Sequence, residues 1–129
     1  MITGQQTTGR KVGTVHCPPL GAAAIVLQCR QDDTETLTIA ARISDPTAQA
    51  EVLAERTVLQ EMGGFCNAPL AGYARIGDDT RITVQAVAFT RDGSLMIDGR
   101  HTGSDAEETA KAVCRHLTRH GARGLSPVT

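Results

Sequence analysis

Cys66 is the side chain whose setting is best suited to chemistry. It follows a helix-like run that ends at Gly63 and Gly64, and Pro69 comes three residues later. Glycines let a backbone approach a ligand closely, and a cysteine sulfur is a good nucleophile toward soft carbon electrophiles. A helix C-terminus, in contrast, disfavours a thiolate. The spacing alone leaves two interpretations open, a nucleophile held in a loop and a small core residue.

The remaining cysteines and two histidines are weaker candidates. Cys29 ends an apolar run and Cys114 lies on an apolar helix stripe, so we expect both to be core residues. The sequence does not indicate a role for Cys17, which precedes Pro18 and Pro19. His116 and His120 have the i, i+4 spacing of a metal-chelating pair, but no third ligand is near in sequence, and cations also suit the last turn of a helix. We expect no metal site.

Charge and cysteine usage limit the class of protein. The 13 Lys+Arg nearly cancel the 14 Asp+Glu, so the chain has no general attraction to nucleic acid or to an anionic membrane. No apolar run approaches the length of a membrane span, and no signal-peptide pattern is present. The widely spaced cysteines therefore predict reduced thiols in the cytoplasm, with two disulfides as the alternative. Residues 1–16 are expected to be a disordered lead-in, and residues 17–129 a single domain.

A long helix is predicted immediately before Cys66. Asp45 can cap it and Pro46 suits its first position. Glycine at 63–64 ends it, which gives bounds of about 46–62. Four residues at four-residue intervals form its apolar stripe. They are Ala50, Ala54, Val58 and Met62.

Beyond Pro69 the pattern changes to the period of two that is typical of strands. We predict strands near 70–76, 81–90 and 94–100, joined by the turn sequences GDDT and RDGS. Residues 65–68 are then left as a loop. We expect Cys66 to lie at the surface in that loop.

Three further elements complete the expected domain. The apolar run 18–30 is predicted to be a buried strand, and a short helix to follow at 35–43. The last helix is predicted at 104–120, opened by a capping box of Ser104 and Glu107. The order ααβββα predicts an α+β domain, with helices on one face of a three-stranded antiparallel sheet.

Two stretches resemble a known family. The sequence ERTVLQEMGGFCNAPLAG at 55–72 resembles the cofactor-attachment signature of the porphobilinogen deaminase (hydroxymethylbilane synthase) family, and PPLGAAAIVLQCRQDD at 18–33 resembles the segment that leads into its C-terminal domain. The residues that match are Glu55, Arg56, Val58, Met62, Gly64, Cys66, Pro69, Leu70 and Ala71 in the first, and Pro18, Gly21, Ala24, Cys29, Arg30, Asp32 and Asp33 in the second. That domain has an αβββα core similar to the double-stranded-RNA-binding fold.

The resemblance implies a role for Cys66. In the family, this cysteine holds a dipyrromethane primer through a thioether, and porphobilinogen units add to the primer in turn, each losing ammonia. The acid–base carboxylate and the arginines that bind substrate carboxylates lie in two N-terminal domains, which would act in cis or in trans. The isolated chain is therefore expected to be inactive, with a free Cys66 thiol. The run at 20–29 would be a strand or extended arm that pairs with a sheet edge or a second copy.

Three departures from the family pattern favour an alternative. Phe65 stands before the cysteine where the family has Gly, Ser or Ala, Ala22 replaces a glutamine, and Gln28 replaces an acidic residue. The alternative is a non-catalytic binding or interaction module that kept the fold. Fold analogy alone would add an RNA-binding module, but the near-neutral charge counts against it.

Overall fold

The computed structural model describes residues 17–22, 24–63 and 68–124. These residues form three helices and three strands followed by a short 3-10 turn. In chain order they are α1 (Thr34–Ile43), α2 (Pro46–Glu61), β1 (Leu70–Ile76), β2 (Ile82–Phe89), β3 (Met96–Gly103), α3 (Ala106–Arg119) and the turn Ala122–Gly124. The predicted order ααβββα is confirmed.

The strands form one antiparallel sheet in the order β1-β2-β3, which confirms the α+β fold class. The bounds of β1 and β2 agree with the predicted ones to within a residue. The third strand was predicted at 94–100, and β3 instead begins and ends later. The turn before it takes more chain, because Asp92 accepts hydrogen bonds from both the backbone N–H and the hydroxyl of Ser94.

The core lies between one face of this sheet and helices α2 and α3. Val58 of α2 and Val113 and Leu117 of α3 are fully buried there. A Cβ added at Gly99 would lie 3.0 Å from Cδ2 of His116, so the glycine lets α3 approach β3 closely. Every second residue of β2 is directed into this core, as the alternation predicts. These residues are Ile82, Val84, Ala86 and Ala88.

Aspartates cap the helices. Asp45 accepts from two backbone N–H groups at the start of α2, and Pro46 occupies the first turn as predicted. The predicted capping box at α3 is wrong: the N-cap is Asp105, which accepts from the N–H of Glu108 at 2.8 Å, and not Ser104. A carboxylate gains from the helix dipole as well as from the hydrogen bond, which favours the start one residue later.

The outer edge of β1 is closed by hydrogen bonds from alternate residues. One backbone N–H donates to the carbonyl of Pro18, and two donate to the carboxylates of Glu51 and Glu55, each at 2.9 Å. The three donors are Gly72, Ala74 and Ile76. An additional strand would need these same donors, so it has no place at this edge.

The buried strand predicted at 18–30 is therefore wrong. Leu20 is buried against the core, but residues 24–30 have no regular secondary structure. Ile25 is 97% exposed, and Val26 and Leu27 are also exposed. The expectation for residues 20–29 was either a strand or an extended arm, and the structure shows an arm. We call residues 24–30 the arm.

Helix α1 has the predicted position but covers no core. None of its residues is buried, and Leu37, Ile39 and Ile43 are exposed. Its apolar side therefore has no partner within the described part of the chain. Only α2 and α3, among the helices described, cover the sheet.

The predicted lead-in at 1–16 lies outside the described residues, so the domain boundary at 17 stays a prediction. Across the ranges that the structure describes, no helix combines the length and apolar character needed to cross a membrane.

Candidate functional site

Cys66 and its neighbours at 64–67 lie outside the described residues, but the chain that precedes them is fixed. The cap residue Met62 donates its N–H to the carbonyl of Val58 at 3.0 Å. Gly63 has a φ of +66°, in the left-handed region that ends helices and that glycine adopts without strain. The predicted end of the helix before the cysteine is confirmed.

The chain that follows is fixed as well. The carbonyl of Pro69 accepts from the N–H of Phe89 at 2.9 Å, which joins the start of β1 to the end of β2. Residues 64–67 therefore connect two anchored elements. The predicted surface loop at 65–68 and the exposure of Cys66 stay predictions.

The segment that begins the second matched stretch lies beside β1. Pro18 accepts from β1 as described above, and Gly21 has a φ of +71° in the turn that follows. The N–H of Gly21 donates to Oε2 of Glu55 at 2.7 Å. A Cβ on Gly72 would overlap the backbone of β2 and lie 2.8 Å from Cδ2 of Leu20, so glycine is required where this turn meets the sheet.

Glu55 connects three parts of the molecule. It is 8% exposed, and its two oxygens accept separately from Gly21 and from Ala74 of β1. One carboxylate on α2 thus holds both the turn before the arm and the strand after Cys66. Charged acceptors make stronger hydrogen bonds than neutral ones, so this is a firm junction.

Sequence reasoning included Glu55 only as a member of the family signature and gave Glu51 no role. Glu51 accepts from β1 and also pairs with Arg75, with 3.0 Å between Oε2 and Nη1. The available signal was the four-residue spacing of the two glutamates, which places them on one side of α2 beside buried Ala54 and Val58.

The three described cysteines differ in environment. Cys114 is buried under α2, with its sulfur 4.0 Å from the carbonyl oxygen of Val58. Burial, and secondarily the charge of Glu61, raise the pKa of its thiol to about 11. Cys17 is half-buried, and burial followed by Glu55 raises its pKa. Cys29 is also half-buried, so its expected place in the core is wrong: it lies on the arm.

The rates at which these cysteines are alkylated should reflect their different burial and thiol pKa. At pH 8, roughly one Cys114 thiol in a thousand is a thiolate, because its pKa is about 11. We expect iodoacetamide to modify Cys114 last in the folded protein, as measured by peptide mass mapping, with urea-unfolded protein as the control. As the pH rises, the Cys114 thiol ionises in the unfolded chain before it ionises in the folded protein. The free energy of unfolding should therefore fall as the pH rises from 9 toward 11. Early modification of Cys114 at pH 8 would contradict the placement.

The histidine pair packs ring against ring. The centroids of His116 and His120 are 4.2 Å apart, and Nδ1 of His120 is 2.8 Å from the carbonyl oxygen of His116. Within 17–22, 24–63 and 68–124, no three side chains of the His, Cys, Asp or Glu type come together as a metal site would require.

Comparison of the sequence with known proteins assigns the chain to a family. A family model described as "Porphobilinogen deaminase, C-terminal domain" matches residues 49–119, more than half of the chain. A protein of Bacillus cereus named porphobilinogen deaminase is 33% identical over 112 residues, covering 87% of this chain and 36% of its own length. One of the same name from Staphylococcus carnosus is 37% identical over 108 residues, or 84% of this chain and 35% of its own length. The chain thus spans about a third of the length of these relatives, and it belongs to the porphobilinogen deaminase family, of which it contains the C-terminal domain.

Proposed function

We propose that this chain is the cofactor-carrying part of a porphobilinogen deaminase of tetrapyrrole biosynthesis, with Cys66 as the thioether attachment point for a dipyrromethane. The observation that carries the proposal is the place of Cys66 in the sequence. It lies within the family-matched range, between the glycine that ends α2 and the hydrogen-bonded start of β1. When bound, the dipyrromethane supplies the pyrrole end from which a tetrapyrrole chain grows.

The described residues fit a covalently held group. A thioether needs one sulfur and no charged partner, and the protein's task is to fix the position of that sulfur. Met62 and Gly63 end α2 before the cysteine, and Pro69 secures the strand after it. Glu55 then ties that strand to the turn at Gly21. The described residues on the two sides of Cys66 in the sequence therefore belong to one hydrogen-bonded unit, which supports the proposal.

The exposed apolar residues of the arm and α1 support a partner for this unit. Ile25 and Ile43 are 97% and 69% exposed, which is costly for large aliphatic side chains in water. We propose that the N-terminal catalytic domains of the family cover them, in cis or in trans, since the matched relatives have about two thirds of their length outside this region. A cytoplasmic location, in which the thiols stay reduced, is part of the same proposal.

The alternative is a binding or interaction module that kept the fold without the primer. Phe65 favours it, because a large ring next to Cys66 occupies space where the family has a small residue. The two alternatives differ in whether the chain accepts a dipyrromethane when catalytic domains are supplied.

The isolated chain is expected to make no hydroxymethylbilane from porphobilinogen. The residues that the family uses for acid–base chemistry and for binding the substrate carboxylates lie in its N-terminal domains, and these 129 residues match only about a third of the relatives' length. Product formation measured by absorbance after oxidation to uroporphyrin should equal that of a protein-free sample, with the full-length Bacillus cereus relative as the positive control. Steady turnover by the purified 129-residue chain would contradict this expectation.

A further inference from the structure

A groove with a cavity volume of about 360 Å³ lies between the end of α2, one flank of α3 and the 3-10 turn. Its lining is mainly basic, and buried Cys114 contributes to it. The charged residues that line it are Glu61, Lys111, Arg115, Arg119 and Arg123. The groove is separate from the junction at Glu55.

The positive charge in this groove is only partly neutralised. Lys111 is paired with Glu108, at 3.1 Å, and with Glu107, at 3.8 Å. Within the described ranges, none of the three arginines forms an ion pair, and the hydrogen bond from Arg123 goes to the backbone carbonyl of Glu61, at 3.5 Å. With the Glu61 carboxylate counted against the three arginines, a surplus of positive charge remains.

Helix stabilisation accounts for only one of these arginines. Arg119 lies in the last turn of α3, where a cation interacts favourably with the helix dipole. Arg115 lies before that turn, and Arg123 lies beyond the helix. Arg115 and Arg119 are four residues apart, a spacing at which like charges destabilise a helix. An anion bound between them would remove this repulsion.

We propose that this groove binds a small anion that carries at least two carboxylate or phosphate groups. Guanidinium groups present planar donor pairs that match both kinds of oxyanion bidentately. Three of them border a concave site whose volume falls at the lower end of the range for small-molecule pockets. The inference does not depend on the role of Cys66.

Citrate and pyrophosphate serve as the carboxylate and phosphate probes. Each is titrated into the full 129-residue chain at low salt, with the melting temperature and calorimetric binding as measurements. We expect at least one probe to raise the melting temperature, since a ligand that binds only the folded state stabilises it. The double variant Arg115→Gln/Arg119→Gln should bind at least about tenfold more weakly, because two charge-assisted contacts are lost.

A control variant separates a site from general charge attraction. Arg42→Gln/Arg91→Gln removes the same charge from two exposed positions outside the groove and should leave the affinity unchanged. The single variant Arg123→Gln should weaken binding from the opposite wall. Tighter binding of citrate would identify a carboxylate site, and tighter binding of pyrophosphate a phosphate site. Binding of neither probe, or equal weakening by both double variants, would overturn the proposal.

Discussion

Replacement of Glu55 by alanine is expected to lower the free energy of unfolding by about 3 to 6 kcal/mol, because each of two hydrogen bonds to a charged acceptor contributes about 1.5 to 3 kcal/mol. Glu55 makes two of them, to the N–H groups of Gly21 and Ala74, and it is almost fully buried. The substitution leaves both donors without an acceptor. It also frees the turn before the arm from β1.

Urea denaturation followed by circular dichroism measures this loss. Glu55→Gln should cost less than Glu55→Ala, because the amide oxygen can still accept from one N–H while the NH₂ group faces the other. Gln60→Ala, at an exposed position of the same helix, is the control and should change stability by less than about 0.5 kcal/mol. A Glu55→Ala variant as stable as the Gln60→Ala variant would show that the junction contributes nothing.

Replacement of Cys66 by serine is expected to abolish hydroxymethylbilane synthesis in a chimera. In this chimera, residues 17–129 replace the matching region of the Bacillus cereus relative, which supplies the catalytic domains. Serine keeps the size of the side chain but loses the soft sulfur nucleophile that a stable thioether requires. Initial rates with porphobilinogen should fall to background.

Cys29→Ser in the same chimera is the matched control. Cys29 is half-buried on the arm and has no role in attachment, so this variant should keep most of the activity. Equal loss in both variants would indicate a structural effect of cysteine replacement. An active Cys66→Ser chimera would remove Cys66 from the reaction.

The elements around Cys66 could be predicted because their signals are local. Asp45 and Pro46 start α2 and Gly63 ends it, and each acts through its own backbone. The alternating residues of β2 likewise need only a period of two to indicate the buried face. The later start of β3 shows the limit of local signals. The turn sequence indicated a hairpin, but it did not indicate how many residues the turn at Asp92 would occupy.

The predicted burial of the arm failed, and the junction at Glu55 was missed, because both depend on contacts between residues distant in sequence. The apolar run from Ile25 to Leu27 indicates burial, but hydrophobicity does not say against which surface, and the described part of the chain offers none. The hydrogen bonds that Glu55 accepts from Gly21 and Ala74 join residues 34 and 19 positions apart in sequence. Such a junction becomes visible only when α2 is packed against the edge of β1.

The intact mass of the chimera shows whether Cys66 carries a dipyrromethane. If Cys66 is the attachment point, the mass of the natively purified chimera should exceed the sequence mass by one dipyrromethane, and peptide mapping should place the addition on Cys66. The Cys66→Ser chimera should have its sequence mass alone. An unmodified Cys66 in a folded chimera with intact catalytic domains would contradict attachment at this cysteine and favour the non-catalytic module.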